Sequence, residues 1–513
     1  MAHHIEITQM DHQIPLLDQT SVNEIEEGRK VDHLIEIRET NGEDRSGMTT
    51  NKPANQILDE IFADINDSSS KCCTIFKVSV GLSESNSGAY EPKVISIGPY
   101  HKHNPKFRSM EKYKVCYLQR FLRRKEGIDV ESCIRELEDE ALKCYDDIEN
   151  LDRDIVAKFS KILLLDGCFL VEYIRERCGM CPEGEDWIIS GGCLDNQIRR
   201  DLLLLENQLA FFVLTKLHHM TKDEEDKIPF IKMVKRTFFL DLPKMTPASY
   251  LESEGNAAEI KHLLQVVHMS CHPSDIKTTS LTNPSMETEH FWKSLCCNPL
   301  RIIRSKDKPI DKDHLTGHNV MPNATQLSEY GVSFVKVGYI YDYLEEENYG
   351  DNTSLFDIKF ENGLIKIPSF KVTDDTETLL RNLIAYEQQS IHVHGPRYFS
   401  DFAIFMDYLI DSEKDLNLLR RKGIIKNRIG EDKEIATLFN KIGKGVSISH
   451  EDFYYEEECR KLVQHCEQTW NLMKASLKRN YFNSLWVGTS TVAAGILLVL
   501  TAMQTVLAFT GGI

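Results

Sequence analysis

The sequence predicts a mainly α-helical fold, α+β with a minor antiparallel β-sheet. It reads as a single large globular body plus one C-terminal transmembrane helix. Three observations predict this. Residues 155–177 and 198–217 are apolar nearly all round with a few acids embedded, the pattern of central helices. Only one short-range hairpin signal stands out, Glu361-Asn362-Gly363 between two apolar runs. From Trp486 to Phe509 there is no Asp, Glu, Lys, Arg or His. As a helix those residues span roughly 36 Å, more than the ~30 Å hydrocarbon core of a bilayer.

Composition sets the bounds. A chain of 513 residues can bury a large core and hold more than one domain. Its net charge of −18 argues against a general nucleic-acid binder, because phosphate contacts need clustered Lys and Arg. The 14 cysteines show no disulfide-framework spacing, and the first residues lack a basic region followed by an apolar run, so no signal peptide is expected. Residues 1–72 are polar, poor in aromatics and read as a disordered region, with one short amphipathic segment at Ile57, Leu58, Ile61 and Phe62. A globular domain is expected over residues 74–480 and the membrane helix over 486–509.

The body opens on Thr74-Ile75-Phe76, an extended entry, followed by Val94-Ile95-Ser96-Ile97, read as a short strand stopped by Gly98-Pro99. A helix is predicted over 110–125. Eight Lys or Arg against the single acid Glu111 lie between Lys106 and Lys125, a candidate anionic surface contact through Lys112, Lys114, Arg120, Arg123, Arg124 and Lys125. The next helix, predicted over 131–154, carries ten acids, so the simpler reading is two helices of opposite sign that face each other or are solvated. Asp166, Asp201, Glu206, Asn207 and Gln208 are the polar groups expected to be partly buried on the two central helices. Buried acids serve catalysis when a neighbour shifts them, and more often pair with Arg or cap a turn.

Cys178-Gly179-Met180-Cys181 is a lone CxxC without a second ligand pair, and His392-Val393-His394 falls before a Gly-Pro turn; neither supports a metal centre. No phosphate-binding loop, nucleophile elbow, zinc-protease or dinucleotide-binding motif is found, and no cofactor is expected. Two or three helices with polar linkers are expected over 219–322. Strands follow within 331–373. Thr373 or Asp374 is expected to cap a helix over 379–388, with further helices over 398–409, 415–421 and 433–442. A long final helix from about Asp452 is expected to lead into the membrane span, flanked by Lys474, Lys478, Arg479 and Trp486.

Seven stretches in this order carry a resemblance: Val94–His101, Met110–Lys114, Leu165–Glu172, Asp201–Gln208, Ala324–Leu327, Thr376–Gln388 and Asn480–Trp486. Together they resemble the plant family called domain of unknown function 247, over roughly Thr74 to Phe509. The resemblance implies a membrane-anchored plant protein with no established enzymatic activity. Some grass members are implicated in pollen self-incompatibility, which implies recognition rather than catalysis. Two positions depart from the family's usual pattern. Tyr100-His101-Lys102-His103 stands where Tyr-His-His-Gly is common, and Leu485 stands where Pro is common, so the stem is expected to run unbroken into the span.

The favoured function is a membrane-tethered recognition or signalling protein, held in the bilayer by residues 486–509, facing the cytosol and binding a protein partner of unknown identity. The alternatives are a hydrolase or transferase using the embedded acids, notably Asp166 and Glu206, and a protein that docks its basic helix on anionic lipid.

Overall fold

The computed structural model describes residues 73–146, 148–182, 187–189, 192–222, 228–238, 260–273, 321–338, 354–390, 393, 395–447, 452–481 and 485–510. From Ser70 onward the chain forms one compact unit.

Helix α1 (Arg108–Arg123), α2 (Val130–Leu142) and α3 (Phe159–Arg177) come first. They are followed by α4 (Gly192–Asp201), α5 (Phe211–Met220), α6 (Phe230–Phe238) and α7 (Leu263–Ser270). α3 is the axis of this half: α1, α2, α5 and α6 all pack against it. Fifteen of its 19 residues are buried, as its nearly uniform apolarity predicts. Gly167 is where α5 comes closest, since a Cβ there would sit 2.6 Å from the Leu217 side chain.

The second half begins with α8 (Ala324–Glu329), started by a capping box in which Asn323 and Gln326 satisfy each other's backbone amides. Strands β1 (Ser333–Val337), β2 (Lys359–Glu361), β3 (Leu364–Pro368) and β4 (Phe370–Val372) follow. Then come α9 (Thr376–Gln389), α10 (Tyr398–Leu409), α11 (Glu413–Arg421), β5 (Ile425–Asn427) and α12 (Asp432–Ile442). The chain closes with α13 (Glu456–Glu467), α14 (Thr469–Tyr481) and α15 (Leu485–Thr510). Both halves contribute to one continuous apolar core.

The mainly α class with a small β part is therefore the observed one, and the differences are local. The Asn-Gly signal forms the hairpin: Asn362 (φ 51°) and Gly363 (φ 77°) both adopt the left-handed region that a two-residue turn of this hand needs, and β2 and β3 run antiparallel. β1, however, joins β3 in parallel, and β4 pairs with β5 in parallel in a second sheet, so the sheets are mixed rather than antiparallel. Parallel partners need a long connection, and residues 338–358 between β1 and β2 and α9–α11 between β4 and β5 supply it.

Four helix readings are corrected. The acidic helix ends at Leu142 instead of reaching 154, because Tyr145 turns away to bridge Ile75. The helix read over 198–217 is broken into α4 and α5 by a buried loop, residues 202–210. The N-cap of α9 is Asp375, one or two residues later than expected. The final helix breaks at Gln468, whose ψ of 130° leaves the helical region. The link at 482–484 lies outside the described residues, as do the segment at 57–62 and His392 and His394.

The two halves are pinned at Asn382 of α9, which is fully buried. Its side-chain oxygen accepts from the Leu205 amide (2.8 Å), and its amide donates to the carbonyls of Ala89 (2.9 Å) and Thr378 (2.8 Å). Replacing it by Ala orphans at least two buried backbone groups, at a cost of about 1–3 kcal/mol each. Asn382→Ala is expected to lower the denaturation midpoint by several kcal/mol's worth, measured by urea unfolding, whereas Glu131→Ala on the exposed face of α2 is expected to change stability by less than about 0.5 kcal/mol.

Candidate functional site

The polar residues that stand out in the sequence converge on one extended segment, residues 93–101. Among the described residues no strand pairs with it: side chains take the strand's place. The Asp201 carboxylate accepts three successive backbone amides, from Lys93 (2.9 Å), Val94 (2.7 Å) and Ile95 (3.1 Å). Asn207 continues the ladder, accepting from the Ile97 amide (2.7 Å) and donating to Ile95 O (3.1 Å). Asp166 accepts from the Gly98 amide (3.0 Å). The strand read at 94–97 is thus corrected to an extended segment held by side chains.

Gly98 is required at its position. Its φ is +70°, and a Cβ would lie 2.7 Å from the Gln208 carbonyl and 3.0 Å from the Tyr145 hydroxyl. That hydroxyl donates to the same carbonyl (2.9 Å), so neither atom can yield cheaply. Gln208 in turn donates to Leu202 O (2.8 Å) and Leu204 O (2.7 Å) and accepts from the Leu264 amide (3.1 Å). These bonds are why residues 202–210 are a buried loop: Asn207 and Gln208 supply the partners that a helix would otherwise provide.

Beside this segment lies a compact group of charges. Lys114 of α1, fully buried, donates to Ser96 O (2.5 Å) and to Asp166 Oδ1 (2.6 Å), with Glu111 Oε1 at 3.1 Å. Lys102 reaches Glu111 (3.0 Å) and lies 3.6 Å from Asp166. Burial alone would lower the Lys102 ammonium's pKa, but the Asp166 and Glu111 carboxylates outweigh it and hold the group above the ordinary lysine value. Glu111 is held below the ordinary glutamate value: burial raises it, and Lys114 and Lys102 together pull it further down. Lys102 therefore forms part of this charge group. Glu206 accepts from the Val78 amide (2.9 Å), and His101 stands 3.4 Å from its other oxygen.

The basic helix α1 divides into two faces. Lys112, Arg123 and Lys125 are exposed. Lys114 and Arg120 are buried, and Arg124 is mostly so, each paired with an acid of α3: Asp166, Glu176 and Glu172 respectively. Lys114 and Arg120 therefore take no part in an outer anionic contact. The acids that balance α1 come from α3 and not from α2, whose Glu131, Glu136, Asp139 and Glu140 face solvent. The sequence singles out Asp166 among these acids but not Glu172 and Glu176, because α3 looks apolar nearly all round and only the i, i+4 spacing of those two hints at a polar seam.

Of the membrane-flank residues, Lys474 is exposed with its ammonium beside Gly331, while the side chains of Lys478, Arg479 and Trp486 lie outside the described residues. Cys178 and Cys181 are free thiols, and burial pushes both above the ordinary cysteine range, opposite to an activated thiolate. Among the described residues no group of three or more His, Cys, Asp or Glu converges as a metal site. A cavity of about 270 Å³ lies between α4, β4 and the start of α9, lined among others by Asn196, Arg199, Lys371, Asp374, Asp375 and Leu379. Burial raises the Asp375 carboxyl there above the ordinary aspartate value.

Two histidines, the buried His218 and the half-buried His272, carry no charge near neutrality. Desolvation lowers His218 to about 3, with Arg175 adding to the effect, and lowers His272 to about 3, with His268 adding to it. Asp401 shifts the other way, raised to about 7 by burial against the bond that its carboxylate accepts from the Tyr454 amide.

The chain was compared with known proteins. It matches the plant protein family of unknown function DUF247 over residues 75–500, and it belongs to that family. It is 26% identical over 447 residues to UPF0481 protein At3g47200 of Arabidopsis thaliana, covering 85% of this chain and 86% of that protein. It is 23% identical over 493 residues to putative UPF0481 protein At3g02645 of the same plant, covering 84% and 89%. No solved structure matches.

Two outcomes follow from this geometry. Gly98→Ala is expected to destabilise the body by well over the ~1 kcal/mol of a left-handed alanine, because of the backbone clash. Gly179→Ala, at φ +76° with open space around it, is expected to cost only about that 1 kcal/mol, and thermal unfolding separates the two. For pH, the histidine shifts are depressions, so their contribution is present above the unfolded value near 6.5 and is lost as pH falls toward 3. The loss is about 1.4 kcal/mol per pH unit per histidine. Asp401 contributes the opposite slope between about 4 and 7. His218→Phe is therefore expected to flatten the acid-side fall in melting temperature, and Asp401→Asn to steepen it.

Proposed function

We propose that this family member is a membrane-anchored recognition protein whose body faces the cytosol and whose surface binds a protein partner. The observation that carries the anchor is α15. It is a helix of 26 residues with no charged side chain, and its apolar span is entirely unburied by the body. Leu498 is 72% exposed and Phe509 84%. Left in water, such a surface costs about 1.5–3 kcal/mol for each large side chain, and in lipid it costs nothing.

The cytosolic side is supported by Lys474, Lys478 and Arg479 before the span, which oppose translocation, and by free thiols among the described residues, such as Cys116, Cys133 and Cys168. The recognition reading is supported by the work of the buried acids. Asp166, Asp201, Glu172 and Glu176 each hold backbone amides, lysines or arginines of the scaffold. With these tied to the framework, the exposed surface is the part of the body open to a partner.

Deleting residues 486–513 is expected to release the protein into the soluble fraction after carbonate extraction, and retention would overturn the anchor. On sealed microsomes the body is expected to be protease-accessible, with Asn66, Asn323 and Asn352, each opening an Asn-X-Ser/Thr sequon, unglycosylated. A glycosidase shift or a protected body would move the recognition surface to the lumenal or outer side.

A further inference from the structure

We infer that α14 is an interfacial helix that lies in the headgroup layer and seats the body on the membrane. This rests on the anchor reading above and goes beyond it. α14 packs against α8 and α13, and the residues it buries are Asn471 and Ala475, one turn apart on one face. On the other side Trp470, Met473 and Leu477 recur at i, i+3 and i+7 and are 74%, 59% and 51% exposed. At 3.6 residues per turn these three fall in one stripe, well over 90° from the buried face. The stripe therefore points away from the body, and nothing among the described residues covers it.

Continuity with the span says what covers it. Only residues 482–484 separate Tyr481 from Leu485, the first residue of α15. Four steps of chain reach at most about 14 Å. With the span starting at Trp486, the end of α14 is held within the headgroup layer or just above it. The composition fits that layer. Tryptophan prefers the interface, and Lys474 beside the stripe, with Lys478 and Arg479 in the same helix, matches an anionic leaflet. The break at Gln468 lets α14 take its own direction rather than continue α13. Bilayer headgroups, rather than a second copy of the chain, are the occupant, because the tether holds the stripe at the bilayer at every moment and supplies the charge complement.

The test uses the full chain in phosphatidylcholine vesicles with a minority of phosphatidylserine and with brominated acyl chains. The protein has four tryptophans, so Trp187→Phe, Trp292→Phe and Trp486→Phe together leave Trp470 as reporter, and a sister variant with Trp187→Phe, Trp292→Phe and Trp470→Phe leaves Trp486. Quenching of both reporters, with Trp470 losing about two-fold in emission and strongest for bromines near the headgroups, is expected for an interfacial stem. Quenching of Trp486 alone leaves the anchor standing and overturns the inference, since the stripe is then held off the bilayer or covered by protein. Quenching of Trp470 alone also overturns it, since the stem would meet lipid without the anchor. Quenching of neither overturns the inference and the anchor reading together.

Discussion

The fold of the N-terminal half hangs on one carboxylate. Asp201, fully buried, grips three consecutive amides of the 93–95 backbone, and Arg200 beside it closes the group by reaching the carbonyls of Glu91 and Gly88. An extended segment inside a helical body has no sheet to satisfy its amides, and each buried amide left alone would cost about 1–3 kcal/mol. One carboxyl side chain placed at the end of α4 satisfies three of them, and Asn207 and Asp166 complete the row. The demand for that geometry also explains why the chain leaves the helix at 202, why Gly98 carries no side chain and why Tyr145 breaks the acidic helix.

The same economy recurs elsewhere. Glu387 on α9 accepts from the Phe399 and Ser400 amides at the start of α10 and from His268 of α7. Glu176 accepts from Tyr117, Arg120 and the amides of Ile188 and Ile189. Buried ion pairs of this kind add little net stability over an apolar core, yet removing one partner leaves a stranded charge at a cost of about 3–5 kcal/mol. They specify which segments meet. In this body acids embedded in apolar runs read as fasteners between helices and loops, and their pairing with α1 turns half of the basic helix inward.

The surface that this arrangement leaves free is uneven. The outer face of α2 is acidic and solvated. The outer face of α1 keeps Lys112, Arg123 and Lys125 among the exposed Tyr113, Val115 and Leu122. At the opposite end of the sequence the exposed side chains become apolar, first as a stripe on α14 and then all round α15. A protein with this gradient has one end suited to lipid and a body suited to water, which is the physical basis of the proposed tether.

Much was legible in the sequence because it is set locally. The apolar span, the largely apolar α3, the Asn362-Gly363 turn and the bounds of α10 and α12 follow from periodicity and turn chemistry within a few residues. So does the family, whose motifs are linear. The long-range partners were not legible. Nothing near Asp201 says that it will hold amides 106 to 108 positions away, so Ile198–Leu217 reads as a helix and Val94–Ile97 as a strand. Nothing in the charge count of α1 says that Lys114 and Arg120 will turn inward, because their acids lie on a helix that looks apolar. Sequence by itself determined the mainly helical class and which segment is apolar enough to enter a bilayer, since propensity and hydropathy are properties of neighbouring residues. Only the tertiary structure decided which polar groups meet, since burial raises the cost of an unpaired group and makes distant residues settle each other's hydrogen bonds.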